Sequence, residues 1–141
     1  VRLPGNEDIP MPGYATSGSA GMDLVAALRE PLTLAPGQRA IIPTGLTLSI
    51  PSGFEAQIRG RSGIAINKGI GLVNAPGTID SDYRGEIGII VINWSDQPQR
   101  IERGDRIAQM VIAAVIRANL VECETLDPTG RGVGGFGHSG T

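Results

Sequence analysis

Phe54-Glu55-Ala56-Gln57-Ile58-Arg59 alternates apolar and polar side chains with period two, the repeat of a strand whose successive side chains point to opposite faces. The pattern puts Phe54, Ala56 and Ile58 on one face of a half-buried sheet. Outward from this stretch the texture recurs. Residues 22–27, 38–42, 46–50, 70–74, 88–93 and 120–124 are short apolar segments bounded by turn residues, and they read as strands. Residues 89–92 are continuously apolar, which predicts a strand covered on both faces. Residues 106–118 are ambiguous, because Ile107, Met110, Val111, Ala114 and Val115 also fit a helical stripe. Their β-branched content and strand-rich surroundings favour a long strand or two. Ser62–Lys68 has room for a helical turn or more.

The composition agrees with an all-β chain. Glycine (21) and proline (10) are abundant in 141 residues and are spread along the chain as turns. Aromatics make up only 4%, so the core is expected to be aliphatic and β-branched. A chain this long forms one domain burying roughly 68–70% of its unfolded surface. A net charge of −2 provides no general attraction to a nucleic-acid polymer, so any nucleotide must be held by a local site. The single Cys123 rules out an intrachain disulfide and a thiolate zinc cluster. With no apolar leader at residues 1–10, and no run long enough to span a membrane, the chain reads as cytoplasmic. Residues 128–141 are Gly-rich and poor in core-forming side chains, which predicts a mobile arm beyond a body of residues 1–127.

Four constellations could carry chemistry. Gly60-Arg61-Ser62-Gly63 combines a fixed cation, a hydroxyl and small residues that let backbone amides approach an anion. Residues 74–86 form a long acid-rich hairpin between two apolar runs, far longer than a strand reversal needs. Residues 131–140 bring together Arg131, several glycines and Phe136, the parts needed to clamp phosphates and stack on a base. Ala20-Gly21-Met22-Asp23-Leu24 sets an acid at the edge of an apolar segment. Taken singly, each also fits a plain alternative: a surface turn, a solvated hairpin, a disordered tail, a turn-capping aspartate. His138 has no acid and nucleophile patterned around it, which speaks against a serine-hydrolase triad.

In order along the chain, these segments resemble the five motifs of the homotrimeric dUTPases. Ala20-Gly21-Met22-Asp23-Leu24 is similar to the first and Arg61-Ser62-Gly63-Ile64-Ala65 to the second. Gly77-Thr78-Ile79-Asp80-Ser81-Asp82-Tyr83-Arg84-Gly85 is similar to the third and Gly104-Asp105-Arg106-Ile107-Ala108-Gln109-Met110 to the fourth, and residues 131–140 are similar to the fifth. Five collinear motifs across nearly the whole chain outweigh the plain readings. The resemblance implies a distorted β-barrel or jelly-roll-like subunit, a homotrimer with sites at subunit boundaries, and hydrolysis of dUTP to dUMP and pyrophosphate with Mg2+. That reaction lowers dUTP and supplies dUMP for thymidylate synthesis. Membranes and nucleic-acid polymers are not among the implied partners.

By the same resemblance, Asp80 is expected to activate the attacking water, and Tyr83 to pack on the deoxyribose and exclude a 2′-hydroxyl. Asn74, with the backbone of Gly77, Thr78 and Ile79, would read the uracil edge. Arg61, Ser62, Gly63 and Gln109 would hold the phosphates, and Asp23 would hold waters on the metal. From an arm closing over a neighbouring subunit's site, Phe136 would stack on uracil while Arg131, Gly137 and Ser139 grip phosphates. The chain departs from the family's pattern at Gly60, where many relatives have proline, at Gly88, where a longer side chain often stands, and at His138, where others carry serine. The nearest rivals are a dCTP deaminase of the same fold, against which the motif spelling and the lack of an extra hairpin acid speak, and a non-catalytic β-trimer, which would need no complete set of reacting groups.

Overall fold

The alternating stretch forms β4 (Phe54–Gly60) in the computed structural model, which describes residues 1–135. Ala56 and Ile58 are buried as the repeat requires. Phe54 is not: at 44% exposure it stands at the strand end, opposite Ala114. The neighbouring β6 (Gly77–Ile79) reaches only as far as Ala56, so no strand covers Phe54 on that side. On the other side of β4 runs β9 (Arg106–Ala114), and β1 (Met22–Val25) completes a four-stranded sheet in the order β1-β9-β4-β6. Residues 106–114 are a strand despite their helix-compatible stripe, because both edges are taken by antiparallel partners. Met110 lies opposite Met22 on one side and Ile58 on the other.

A second sheet, β3-β7-β5, is built from Arg39–Pro43, Gly88–Asn93 and Ile70–Leu72, while β2 (Leu32–Leu34) pairs with β8 (Gln99–Ile101). All pairings are antiparallel. One main core joins the sheets, with Leu24, Ile58 and Ile107 from the first, Ile42, Ile70 and Ile89 from the second, and Leu34 and Ile101 from the third. It is aliphatic, as expected, and the arrangement is the all-β, jelly-roll-like distorted barrel that the resemblance implied. The helix α1 (Ser62–Lys68) joins β4 to β5 and stops at Gly69, whose φ of 62° favours glycine. A Cβ there would also come within 2.8 Å of the Ser95 side chain. No described helix is long and apolar enough to cross a membrane.

The structure departs from several sequence expectations. Residues 46–50 form no strand: Leu46 makes a single bridge to Arg2, and Leu46 and Ile50 are buried as irregular chain. Residues 120–124 are exposed and irregular, because no described segment of the subunit pairs with them. Residues 89–92 are not covered on both faces. Ile89 and Val91 are buried, Ile90 and Ile92 only partly, and Ile41 opposite Ile90 is 69% exposed, as in an antiparallel sheet with one open side. The segment 74–86 is more than a hairpin loop: although β5 and β7 pair with each other, the connection crosses to the other sheet and adds β6 to its edge. The short β2, β6 and β8, three residues each, carried no sequence signal of their own.

Polar ties close the body. Asn93, fully buried, donates through Nδ2 to the carbonyls of Leu34 and Gln97 and accepts from the Ser95 amide and hydroxyl. Arg103 grips the N-terminal segment by a two-pronged pair with Asp8, at 2.8 and 2.6 Å. It donates further to Gly5 O, Asn6 Oδ1 and Leu28 O. The Arg103 guanidinium holds the Asp8 carboxyl down to about 2 from an ordinary value of 3.8.

Candidate active site

The expected site residues fall into two groups, one at the C-terminal end of β4 and a second spread along β6, which runs from Gly77 opposite Ile58 towards Asp80 at the opposite end of β4. At the first end, strand register sets Asp23 of β1 opposite Gln109 of β9, and Gln109 opposite Arg59 of β4. Arg61 follows directly as β4 turns into α1. Its Nε donates to Asp23 Oδ1 at 2.8 Å, and Gln109 Nε2 donates to the same oxygen at 3.3 Å. Arg106 Nη1 lies 3.5 Å from Asp23 Oδ2, and Arg61 Nη1 donates to the Arg106 carbonyl. Residues from the first, second and fourth motifs therefore meet around one carboxylate. Both the Asp23 and Arg61 side chains are about three-quarters buried.

Beside this cluster a cleft of about 260 Å³ is lined by Arg61, Gly63, Ile64, Asn67, Lys68, Asp105 and Arg106. Ser62 and Gly63 begin α1, where the first backbone N–H groups have no partner within the helix. A Cβ at Gly63 would meet nothing within 4 Å, so the backbone there is open to an approaching group. Three basic side chains and free amides make this end suited to an anion. Arg106 was not singled out by sequence reasoning. It stands 83 residues from Asp23, and only the pairing of β1 with β9 reveals the contact.

The second end is built by the chain around β6. Gly77 lies opposite Ile58, where a Cβ would press to 3.3 Å from the Asn74 side-chain nitrogen. Asn74, Gly77, Thr78, Ile79 and Gly88 line a small hollow of about 40 Å³. Past Ile79, Asp80 leaves the sheet into a cleft of about 600 Å³ that it shares with Phe54, Glu55, Asp82 and Arg117. The Asp80 carboxylate is exposed and accepts no hydrogen bond from the described residues.

The turn that follows is held by backbone contacts. The Tyr83 amide donates to Asp80 O at 3.2 Å, and the Tyr83 hydroxyl donates to Glu86 O at 3.1 Å. Glu86 in turn accepts the Gly45 amide at 2.8 Å, fixing the loop to the body. Gly85 lies under the Tyr83 ring, where a Cβ would collide with the ring and hydroxyl. Glu86 and Arg84 were missed as supports, since their partners are carbonyls and an amide that sequence does not label.

Asp80 and Arg61 do not meet within one subunit, although Gly77 lies only three residues along β4 from Arg61. Asp80 emerges beside Glu55, six residues along β4 from Arg61, roughly 20 Å at strand rise. Arg131 is exposed, with Nε donating to Gly134 O at 2.8 Å. Phe136, Gly137 and Ser139 lie outside the described residues. Among the described residues, no three His, Cys, Asp or Glu side chains cluster so as to cage a metal ion. Asp23, with both oxygens facing guanidinium groups, is poorly placed to bind a cation directly, yet it keeps lone pairs for metal-bound water.

Comparison with known proteins follows the same outline. The family model described as dUTPase matches residues 7–140. The deoxyuridine 5'-triphosphate nucleotidohydrolase of Methylocella silvestris is 54% identical over 141 residues, covering 99% of this chain and 88% of that protein. The solved dUTPase of Staphylococcus bacteriophage 80alpha with dUPNHPP superposes with a TM-score of 0.85 at 29% identity, covering 96% of this chain and 94% of that one. The dUTPase of phage phi11 of S. aureus gives 0.75 at 25% identity, with coverages of 87% and 94%.

Proposed function

This chain belongs to the dUTPase family and is a dUTP diphosphatase, and from that premise we propose that Asp80 drives the attack of water on the α-phosphorus, releasing dUMP and pyrophosphate. The observation that carries this assignment is the Asp80 carboxylate itself, exposed at a cleft with its lone pairs unclaimed by described residues. Such a group can orient a water and take its proton as the bond to phosphorus forms. Tyr83, standing against Gly85, presents its ring to the sugar and leaves no room for a 2′-hydroxyl. Asn74 and the backbone of Gly77, Thr78 and Ile79 take the uracil edge, and the small hollow there disfavours a 5-methyl group.

Arg61, the backbone of Ser62 and Gly63, and Gln109 hold the phosphates, with Asp23 fixing the guanidinium of Arg61. Mg2+, when bound with the substrate, neutralises triphosphate charge while keeping most of its waters. Asp23 is suited to hold those waters, since its fixed partners leave it an acceptor for hydrogen bonds rather than a direct ligand.

The roughly 20 Å between Asp80 and Arg61 supports an assembly of three copies in which the Asp80 cleft of one subunit faces the Arg61 cluster of the next. Exposed apolar side chains at Ile116, Leu120, Val121 and Leu126 support it as well, being surface that a neighbour would cover. In this reading residues 1–127 are the barrel and residues 128–141 an arm that closes over a neighbouring site, bringing Arg131, Phe136, Gly137 and Ser139 to the nucleotide and excluding water. A cytoplasmic role in lowering dUTP and supplying dUMP belongs to the same proposal.

The test is pyrophosphate release with Mg2+, offering dUTP, dTTP, dCTP and UTP in parallel, with molecular mass measured on the same sample. Release from dUTP alone by a trimer is expected. Equal release from UTP would overturn the role of Tyr83, and an active monomer would overturn the shared site.

A further inference from the structure

We infer that Arg84 is a positioning residue for this reaction, stapling the turn that joins Asp80 to Tyr83. The inference rests on the roles proposed above for those two residues. One guanidinium nitrogen, Arg84 Nη1, donates to two carbonyls, Ser81 O at 2.7 Å and Tyr83 O at 2.8 Å. Ser81 O belongs to the middle peptide unit, and Tyr83 O to the unit just after, of the turn that begins at Asp80 and is closed by the Tyr83 amide on Asp80 O. Without the cation, the two carbonyl dipoles are left to water, and the turn keeps only that one long backbone bond.

Tyr83 is then held at three points. Its amide is tied to Asp80, its carbonyl to Arg84 and its hydroxyl to Glu86 O, while Gly85 gives the ring its bed. Of these, Arg84 alone reaches both Ser81 and Tyr83, so it braces the turn between the Asp80 backbone and the sugar-facing ring. The side chain lies at the surface, and none of its described hydrogen bonds reaches the core. Its loss should therefore be felt in the geometry of the loop more than in global stability. Small displacements of a positioned group can cost on the order of 10²-fold in rate.

The experiment compares kcat and KM for dUTP and UTP in Arg84→Met, Arg84→Lys and Tyr83→Ala, with melting temperature recorded for each. Arg84→Met is expected to lower kcat/KM for dUTP by about tenfold to a hundredfold and to narrow the preference for dUTP over UTP, at a nearly unchanged melting temperature. Arg84→Lys should recover most of both, since an ammonium can reach the same two carbonyls. If Arg84→Met fails to fold, Arg84→Gln is read in its place. An unchanged dUTP-over-UTP ratio in the Arg84 variant, beside a narrowed ratio in Tyr83→Ala, overturns the positioning role alone. An unchanged ratio in Tyr83→Ala overturns the sugar-facing role of Tyr83 and the inference with it. Loss of activity that Lys does not restore overturns it too, by reducing Arg84 to a generic structural part.

Discussion

Asp23 and Asp80 are the same side chain at opposite ends of one sheet, and their surroundings differ in kind. Asp23 sits in a strand, and the register of β1, β9 and β4 delivers Arg61, Arg106 and Gln109 to its two oxygens. Asp80 sits one residue past a strand, in a turn organised by backbone carbonyls, and no described donor reaches its carboxylate. A carboxylate in sheet register is drawn into a charge-assisted network and becomes part of the scaffold. One displaced into a turn keeps its lone pairs for solvent or substrate. Position relative to the strand end, and not residue type, separates the networked acid from the unpartnered one.

The sharpest way to break this contrast is Asp80→Asn. It should cut kcat by about 10²- to 10⁴-fold, the usual contribution of a general base, while leaving the melting curve unchanged. Turnover near that of the parent would return Asp80 to the status of an ordinary turn aspartate. Removal of residues 131–141 comes next: turnover should fall by roughly 10²-fold if an arm completes the open end, again without unfolding the barrel. Full activity of the truncated protein would refute the lid.

Asp23→Ala should act differently from both. Two guanidinium groups lose their shared partner, so stability should drop by about 1 kcal/mol, a value kept small because the pairs are partly solvated. A higher Mg2+ concentration should then be needed for half-maximal turnover. A silent melting curve with unchanged metal dependence would remove the scaffold half of the comparison.

The smallest effect is expected at the Asp8–Arg103 pair, away from both ends. Because the folded Asp8 carboxyl is held at about 2, below its ordinary 3.8, its stabilisation is fully present above that ordinary value. It is lost as pH falls from 3.8 towards 2. Amide exchange at Leu3 and Ile9, both bonded within or beside this strap, should accelerate in that window only. Arg103→Met should abolish the pH dependence, and an identical acid profile in that variant would show that the pair does not govern the strap.

Much of the scaffold was readable in the residues. The period-two alternation of residues 54–59 and the apolar run at Gly88–Asn93 became β4 and β7, and Ser62–Lys68 became α1. The failures share a physical origin. Residues 46–50 and 120–124 have strand-like composition, but a strand is defined by a continuous partner, and among the described residues the first finds only an isolated bridge at Leu46 and the second none. β2, β6 and β8 have three residues each, too few for a periodic signal; β6 forms on the edge of the longer β4, and β2 and β8 form by pairing with each other. For the candidate site, the five motifs marked the family, while Arg106, Arg84 and Glu86 make contacts that only folding creates.

By itself the sequence determined an aliphatic, all-β chain and the order of its family motifs, because side-chain alternation, turn residues and motifs are local properties. Only the tertiary structure decided which residues meet. Pairing β1 with β9 closes an 83-residue gap between Asp23 and Arg106, whereas extended β4 keeps Asp80 and Arg61 apart although their positions differ by only 19 in number. Antiparallel register joins distant segments side by side and separates the two ends of each strand, and that is information no local pattern contains.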